Sequence, residues 1–210
     1  MSSHHIIKAI FFDIGGVLVT VDASKSIRKL SMELGVSAEQ IKQGMTEELL
    51  KAYEKGQLTT NQFYEQLLTN YNSQQPMDME SFKKYWQDVL FPCAESVAFL
   101  QRATKDFPVW LLSNTNDFHY DLLTENFPFM KWVAGGIYSF MEGSMKPEPL
   151  IYEIAIQKSG FRPEEILFVD DLETNVLAAQ DMGINVIHYV NYSRFGHELT
   201  RRFPELGYLL

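Results

Sequence analysis

The 210-residue sequence lacks most features of secreted and membrane proteins. Cys93 is its only cysteine, which excludes an intrachain disulfide and a thiolate metal cluster. Its apolar neighbours Leu90, Phe91 and Pro92 predict a packed residue and not a nucleophile. No apolar run is long enough to cross a bilayer, and the first residues lack a charged-then-apolar signal pattern. We therefore expect a soluble cytoplasmic protein.

Basic residues are also outnumbered. The sequence has 18 Lys and Arg and 27 Asp and Glu, which gives a formal net charge of -9. Nucleic acids and anionic membranes bind basic surfaces, so we expect neither as a partner. A small anionic substrate is still compatible with this charge, since a few local donors, cations or a bound metal can hold it. His4 and His5 are expected to belong to a solvated tail and not to a metal site.

Short apolar runs alternate with helical patterns along much of the chain. The runs span 8–12, 109–112, 166–169 and 185–190, and helices are predicted over about 114–126, from Pro149, and over 174–182. This alternation predicts an α/β fold, with a Rossmann-like three-layer core around a parallel sheet. The first three runs end in polar residues: Asp13, Ser113 with Asn114, and Asp170 with Asp171. Ligands bind beyond the carboxyl ends of such strands, so we expect these residues to meet at one edge.

The segment 23–91 has a different pattern and contains no convincing strand. We predict four amphipathic helices in it. Their apolar or capping positions are, in order, Ile27, Leu30, Met32 and Leu34; Ser37, Gln40, Ile41, Met45, Leu49 and Tyr53; Thr59, Gln62, Phe63, Leu67 and Tyr71; and Phe82, Tyr85, Trp86, Val89 and Leu90. A loop is expected over 71–78. We predict an inserted helical-bundle cap at 23–91 and an α/β core domain at 1–22 and 92–210.

Asp13 has the position of a nucleophile for phosphoryl transfer. A carboxylate fixed at a strand end can form an acyl phosphate, which splits one difficult step into two. Gly15 and Gly16 follow it and let backbone N–H groups approach an anion closely. An acid at a strand end is also a common turn residue, so this feature alone leaves both interpretations open.

Ser113, Asn114 and Lys146 are candidate phosphate-binding residues. A hydroxyl and exposed amides at a helix start form an anion site, although simple helix capping explains the first two equally well. Lys146 lies between Met145 and Pro147, where proline rigidifies the chain, and offers a compact positive charge. A surface lysine is the alternative.

The adjacent carboxylates Asp170 and Asp171 indicate a cation site. Together with Asp13 they would repel one another unless a cation lay between them or one of them were protonated. Oxygen ligands and a phosphate substrate point to Mg²⁺. Asn175 could orient these acids from the following helix. The alternative is a turn and helix cap after the strand.

Four segments in this order resemble the four motifs of the haloacid-dehalogenase-like hydrolases, and the resemblance spans nearly the whole chain. They are 12–18, 112–116, 146–148 and 169–171 with Asn175. The helical segment 23–91 resembles the cap of that family. Within it the chain is most similar to the bacterial glucose-1-phosphate phosphatases and to the N-terminal phosphatase domain of soluble epoxide hydrolase, through residues 113–116 and 53–56.

The resemblance implies a Mg²⁺-dependent phosphatase of a small phosphorylated metabolite, such as a sugar phosphate. Asp13 would be the nucleophile and a metal ligand. The Gly15 carbonyl and Asp171 would be further ligands, with Asp170 beside them in the metal site. The phosphoryl group would be held by Ser113, the Asn114 amide and Lys146. The cap would close over the site and select the substrate.

The sequence departs from the family at Gly15. Most phosphatases of the family have a second aspartate there, two positions after the nucleophile, which acts as general acid and base. Its loss would cost about a hundred- to ten-thousand-fold in rate unless the leaving group departs easily, as an anomeric hydroxyl does. Asp22 is one residue that could replace it.

Two other functions stay open. A metal-free 2-haloacid dehalogenase would need neither acid nor metal, but the Asp170–Asp171 pair would then add uncompensated negative charge. A catalytically silent binding protein would also explain Gly15, but the joint presence of Asp13, Ser113 and Lys146 with those acids argues against it.

Overall fold

The computed structural model describes residues 6–71, 77–87 and 89–210. His4, His5 and most of the predicted loop 71–78 lie outside the described residues, so the expectations for them stay predictions. Among the described residues, no helix combines the length and apolar character needed to cross a membrane.

A five-stranded parallel sheet forms the centre of the fold, as the sequence predicts. Its spatial order is β5 (Gly135–Tyr138), β4 (Val109–Ser113), β1 (Ala9–Phe12), β6 (Ile166–Asp170) and β7 (Asn185–His188). The central strand β1 pairs in parallel with both β4 and β6. Because these three strands end at the same edge, the residues that terminate them are brought together.

Alternate side chains of β1 enter two apolar layers. Ile10 and Phe12 belong to the layer that includes α6 (Ala94–Ala103) and α11 (Tyr192–Arg202). Phe11 belongs to the layer on the other face, with α9 (Pro149–Ser159) and α10 (Glu173–Asp181). Burial on both faces explains why the strand is a continuous apolar run in the sequence. The predicted three-layer core is therefore confirmed.

The predicted helix after β4 is also confirmed as α7 (Asp117–Asn126). Its N-cap is Asn116, whose Oδ1 accepts a hydrogen bond from the His119 amide at 3.0 Å. A short helix, α8 (Ser139–Glu142), follows β5.

The described part of the segment 23–91 contains five helices that surround an apolar cluster of their own. They are α1 (Ser24–Leu34), α2 (Ala38–Gly44), α3 (Glu47–Glu54), α4 (Thr60–Tyr71) and α5 (Met79–Trp86). Leu30, Phe63 and Phe82 belong to this cluster. An antiparallel pair, β2 (Val19–Val21) and β3 (Leu90–Pro92), joins the beginning and end of the segment. The helical character is as predicted, and the domain boundaries at 22/23 and 91/92 stay a prediction.

Three details of the predicted cap are wrong. The second predicted helix is two helices, because α2 ends at Gly44 and the Thr46 hydroxyl caps a new helix, α3. Met32 is 82% exposed and does not face the apolar cluster. The fourth helix ends at Trp86, and Leu90 lies in β3 because it pairs there with Val21 of β2. The capping boxes predicted at 37–40 and 59–62 are both present.

The sequence prediction also missed β5 in the core. Its Gly135–Gly136 start has the composition of a loop. In the sheet, a Cβ on Gly135 would lie 2.4 Å from the Trp110 ring, so glycine is required by this close approach. The fourth predicted strand is shorter than expected and ends at His188. Cys93 is half-buried, and burial raises the pKa of its thiol, which fits the predicted packed residue.

Candidate functional site

Three carboxylates meet at the carboxyl edge of the sheet. Asp13 follows β1, Asp170 ends the neighbouring β6, and Asp171 comes next along the chain. One oxygen from each lies within 4.8 Å of the others. Asp13 and Asp170 are buried and Asp171 is half-buried. The sequence prediction that these acids converge is therefore correct in geometry, while their roles as ligands stay a prediction.

Lys146 lies between two of these acids. Its side chain is 1% exposed, and its Nζ is 2.9 Å from Oδ1 of Asp13 and 2.6 Å from Oδ2 of Asp170. It enters the site from the loop that precedes α9. The alternative of a surface lysine is thus wrong, because a buried ammonium needs the compensation that these carboxylates supply.

Asn114 fixes the backbone of that loop. Its Nδ2 donates to the Lys146 carbonyl at 2.9 Å, and its Oδ1 accepts from the Lys146 amide at 2.8 Å. The side-chain amide of Asn114 thus bonds to the peptide unit before the Lys146 Cα and to the peptide unit after it. Sequence reasoning considered the backbone amide of Asn114 and a helix-capping role for its side chain, and missed this contact.

Asp170 is held by donors on several sides. Its Oδ1 accepts from the Leu172 amide at 2.8 Å and from Asn175 Nδ2 at 3.0 Å. Its Oδ2 accepts from Lys146 and, at 3.2 Å, from Asn175. The expected orienting role of Asn175 is therefore observed for Asp170, and a cation at Oδ2 would compete with the Lys146 ammonium.

Burial and electrostatic interactions shift the pKa values of the acids and of Lys146. Burial raises the pKa of Asp13 to about 7, with Lys146 opposing the increase and Asp170 adding to it. Burial and the Asp170 charge also raise the pKa of Asp171. Burial alone would lower the pKa of Lys146, but Asp13 and Asp170 raise it above its usual value. The lysine is thus a cation among three acids, which in their ionised form lack two further positive charges.

Gly16 allows Asp171 to reach the cluster. Its φ is +73°, and a Cβ there would lie 2.1 Å from Oδ2 of Asp171. Any other residue would displace that carboxylate. Position 15 is different, because a Cβ on Gly15 would meet only Val21 Cγ2, at 3.7 Å.

A cavity of about 170 Å³ opens over the carboxyl edge. Its core side is formed by Gly15, Ser113 and the chain from Asn114 to Asn116, and its cap side includes Glu54 at the end of α3. Ser113 is buried, and its hydroxyl makes one long hydrogen bond, 3.4 Å, to the Asn114 carbonyl. Asp22 is exposed and does not line this cavity. Hydrogen bonds from Ser24 lower the pKa of Asp22, so it is a poor proton donor.

A second cleft, of about 100 Å³, lies between α1, α5 and α7 and shares Val21 and His119 with the first cavity. Its surface is apolar. Three polar atoms of its lining residues have no hydrogen-bond partner among the described residues, but they are buried and do not open into the cleft: Ser26 Oγ, Trp86 Nε1 and His119 Nε2. The His119 ring stacks on the Trp86 ring at 6.2 Å. Sequence reasoning assigned Trp86 to the cap core and missed this cleft, because it forms only where cap and core meet.

The donors at the carboxyl edge fit a hard divalent cation. Three carboxylates with a single ammonium carry excess negative charge, and oxygen atoms are the ligands that Mg²⁺ prefers. The Gly15 backbone borders the same cavity and can add a carbonyl oxygen.

Comparison with known proteins gives a consistent result. The family model of the haloacid dehalogenase-like hydrolases matches residues 7–183. The D-ribitol-5-phosphate phosphatase of Bacteroides thetaiotaomicron is 27% identical over 204 residues, which cover 93% of this chain and 98% of that protein. A sesquiterpene phosphatase of Aspergillus oryzae is 27% identical over 188 residues, covering 86% and 89%.

Among solved structures, a HAD family enzyme from Bacteroides thetaiotaomicron, in complex with magnesium and inorganic phosphate, superposes with a TM-score of 0.80. The identity is 24%, over 90% of this chain and 98% of that one. This likeness concerns the fold.

Proposed function

The chain belongs to the haloacid dehalogenase-like hydrolase family, and we propose that it is a Mg²⁺-dependent phosphatase of a small hydroxylated phosphate ester, working through a phospho-aspartate on Asp13. The observation that carries this proposal is the group formed by Asp13 and Asp171, which follow adjoining strands, and Lys146, which reaches Asp13 from the loop before α9. The two phosphatases named above, which match most of this chain, support it.

Asp13 is oriented for attack by two donors to one of its oxygens. Oδ1 accepts from the Ile14 amide at 2.7 Å and from Lys146. Among the described residues nothing donates to Oδ2, which leaves that oxygen available. In-line displacement depends mainly on such positioning and on charge compensation. Lys146, the Ser113 hydroxyl and the Asn114 backbone amide would supply the compensation at the phosphoryl oxygens.

Asp13, the Gly15 carbonyl and Asp171 would hold the Mg²⁺, with Asp170 beside them. When bound, the ion would neutralise carboxylate and phosphoryl charge and lower the proton affinity of Asp13. Asp170 would chiefly keep Lys146 in place, since that ammonium already occupies its Oδ2.

The relatives support a hydroxylated leaving group. The D-ribitol-5-phosphate phosphatase of Bacteroides thetaiotaomicron is named for a polyol phosphate, and it matches 93% of this chain. The cavity over the carboxyl edge is lined by polar residues from both core and cap, Asn116 and Glu54 among them. We therefore propose a polyol or sugar phosphate as substrate, with 23–91 as the cap that selects it.

Assays on three substrates separate the candidate functions. Hydrolysis of p-nitrophenyl phosphate and D-ribitol 5-phosphate, lost with EDTA and restored by Mg²⁺, is expected. Metal-independent chloride release from 2-chloropropionate would favour a dehalogenase. Turnover of none of them, by folded protein with Mg²⁺ present, would favour a silent binding protein.

A further inference from the structure

We propose that Glu54, the last residue of α3, is the general acid and base of this site and takes over the role that Gly15 cannot perform. The inference rests on the proposed phosphatase function. The proposed function leaves the proton donor open, and this inference assigns proton transfer to a cap residue and not to the loop after β1.

Glu54 and Gly15 line the same cavity from opposite sides of the cap–core boundary. The cavity also includes Ser113 and Asn114, the residues proposed to hold the phosphoryl group. A leaving-group oxygen on that phosphoryl group would therefore lie in a space bounded by Glu54. Gly15 has no side chain, and the exposed Asp22 does not line the cavity. Glu54 is the one carboxylic acid among the lining residues of this cavity.

The chain on the C-terminal side of Glu54 is docked onto the core. Lys55 Nζ lies 2.5 Å from Oε1 of Glu148, two residues after Lys146. Gly56 has φ +66°, and a Cβ there would lie 2.1 Å from the Phe140 carbonyl oxygen, so the two backbones are in direct contact. These contacts place the end of α3 against the core segments that carry the phosphate-binding residues.

The residue before Glu54 is fixed as well. The Tyr53 ring stacks on Phe63 at 4.2 Å, and its hydroxyl pairs with Thr60 Oγ1 at 2.9 Å. That Thr60 hydroxyl donates to Oδ1 of Asp117, on the first turn of α7, at 2.7 Å. Glu54 is thus held between two contacts that join cap to core, which is the rigidity that a proton-transfer group needs.

The surroundings favour the protonated form that an acid requires. Burial raises the pKa of Glu54, opposed by the positive charge of Lys146. The other charged neighbours include Lys55 and Glu148, which pair with each other, and Asp117, which accepts from Thr60. Burial keeps the nearby His119 neutral by lowering its pKa. A raised pKa increases the fraction of Glu54 that is protonated and can donate a proton.

The two half-reactions balance with Glu54 alone. An Asp13 oxygen forms a bond to phosphorus, the ester P–O bond breaks with its electron pair on the leaving oxygen, and Glu54 gives that oxygen its proton. The Glu54 carboxylate then takes a proton from a water molecule, whose oxygen attacks phosphorus. The bond from phosphorus to Asp13 breaks, which releases inorganic phosphate and restores the aspartate carboxylate and the protonated Glu54.

The test compares Glu54→Gln with wild type on p-nitrophenyl phosphate and phenyl phosphate, which differ little in shape but strongly in leaving-group basicity. The ratio kcat/KM reports the steps up to aspartate phosphorylation. For phenyl phosphate it should fall about a hundred- to ten-thousand-fold, and for p-nitrophenyl phosphate less than about tenfold. Slow hydrolysis of the phospho-enzyme should also produce a burst of p-nitrophenolate in the variant. If Glu54 had only a structural role, the variant would show neither a larger loss on phenyl phosphate than on p-nitrophenyl phosphate nor a burst.

Two further variants complete the experiment. Glu48→Gln changes an exposed acid on the same helix and should behave as wild type. Gly15→Asp in the Glu54→Gln background places a carboxyl where the added Cβ meets only Val21, and should restore much of the lost rate on phenyl phosphate. Equal losses on both esters without a burst, in a folded variant, would overturn the role of Glu54 alone. A wild-type protein inactive on both esters with Mg²⁺ would overturn the proposed function, and the role of Glu54 with it.

Discussion

The side-chain amide of Asn114 bonds to both the backbone carbonyl and the backbone N–H of Lys146, at 2.9 and 2.8 Å, across 32 residues of sequence. This contact joins the end of β4 to the loop that carries the buried ammonium. The position of the Lys146 ammonium therefore depends on the side chain of a neutral residue, a role that sequence reasoning did not assign to Asn114.

Asn114→Ala should lower kcat by about ten- to a hundredfold, the usual effect of losing an orienting partner. The physical reason is that the Lys146 backbone loses both bonds, so its Nζ no longer stays fixed between Asp13 and Asp170. Steady-state kinetics on p-nitrophenyl phosphate measures the effect. Asn126→Ala is the matched control, because among the described residues that side chain bonds only to the Leu122 carbonyl of its own helix. Equal kinetics in the two variants would show that the loop keeps its position without Asn114.

Asp13→Asn should abolish turnover while the protein stays folded, because the amide cannot form the acyl phosphate. Rapid acid quenching of wild type with a ³²P-labelled ester should trap label on the protein, and the variant should trap none. Asp121→Asn, an exposed position on α7, should keep wild-type activity. Residual activity of Asp13→Asn at a substantial fraction of wild type would exclude Asp13 as the nucleophile.

Gly16→Ala should weaken Mg²⁺ binding, because the new Cβ would overlap the Asp171 carboxylate, 2.1 Å from its Oδ2. The Mg²⁺ concentration for half-maximal activity should rise at least about tenfold, as it does when ligand geometry is disturbed. Gly160→Ala is a close control, since Gly160 has nearly the same φ, +74° against +73°, but open space around its Cβ position. Both variants share the backbone strain of a left-handed residue, so only the overlap distinguishes them. Similar metal dependence in both would contradict Asp171 as a ligand.

His119 should make stability depend on pH. Burial lowers its pKa from 6.5 to about 4. Between these values the unfolded chain binds more protons than the folded protein, so stability rises with pH across the window and is lost as pH falls through it. The contribution is on the order of 3 kcal/mol, at about 1.4 kcal/mol per pKa unit.

Denaturant unfolding of His119→Gln and His197→Gln at pH 4.5 and pH 7.5 measures this contribution. His197 is exposed, so its variant should keep the wild-type difference between the two pH values. The His119 variant should show a smaller difference. If both variants keep the full wild-type difference, then His119 is not the group responsible.

The residues at the carboxyl edge of the sheet could be predicted because the end of a buried strand can be recognised in the sequence itself. An apolar run followed by an acid or hydroxyl located Asp13, Ser113 and Asp170 on a common edge, and the parallel sheet confirms that arrangement. The break between α2 and α3 was missed because hydrophobic spacing continues across it. Only the Thr46 cap marks the new start.

The cap side of the site could not be predicted in the same way. Glu54, Trp86 and Ser26 lie on three different helices, and their approach to His119 or Gly15 depends on how the cap docks onto the core. The signal for that docking is Gly56, whose left-handed backbone and contact with Phe140 permit no side chain. A lone glycine after a helix is usually a simple helix end, so its meaning appears only in three dimensions.

The charges around Lys146 have a kinetic consequence. Three ionised carboxylates and one ammonium leave a deficit of two positive charges at the place where a phosphate dianion would arrive. Without Mg²⁺ the edge would repel its own substrate, and with Mg²⁺ the repulsion would vanish. Binding should then be ordered, with the ion entering first, and inorganic phosphate should protect the protein against heat only when Mg²⁺ is present.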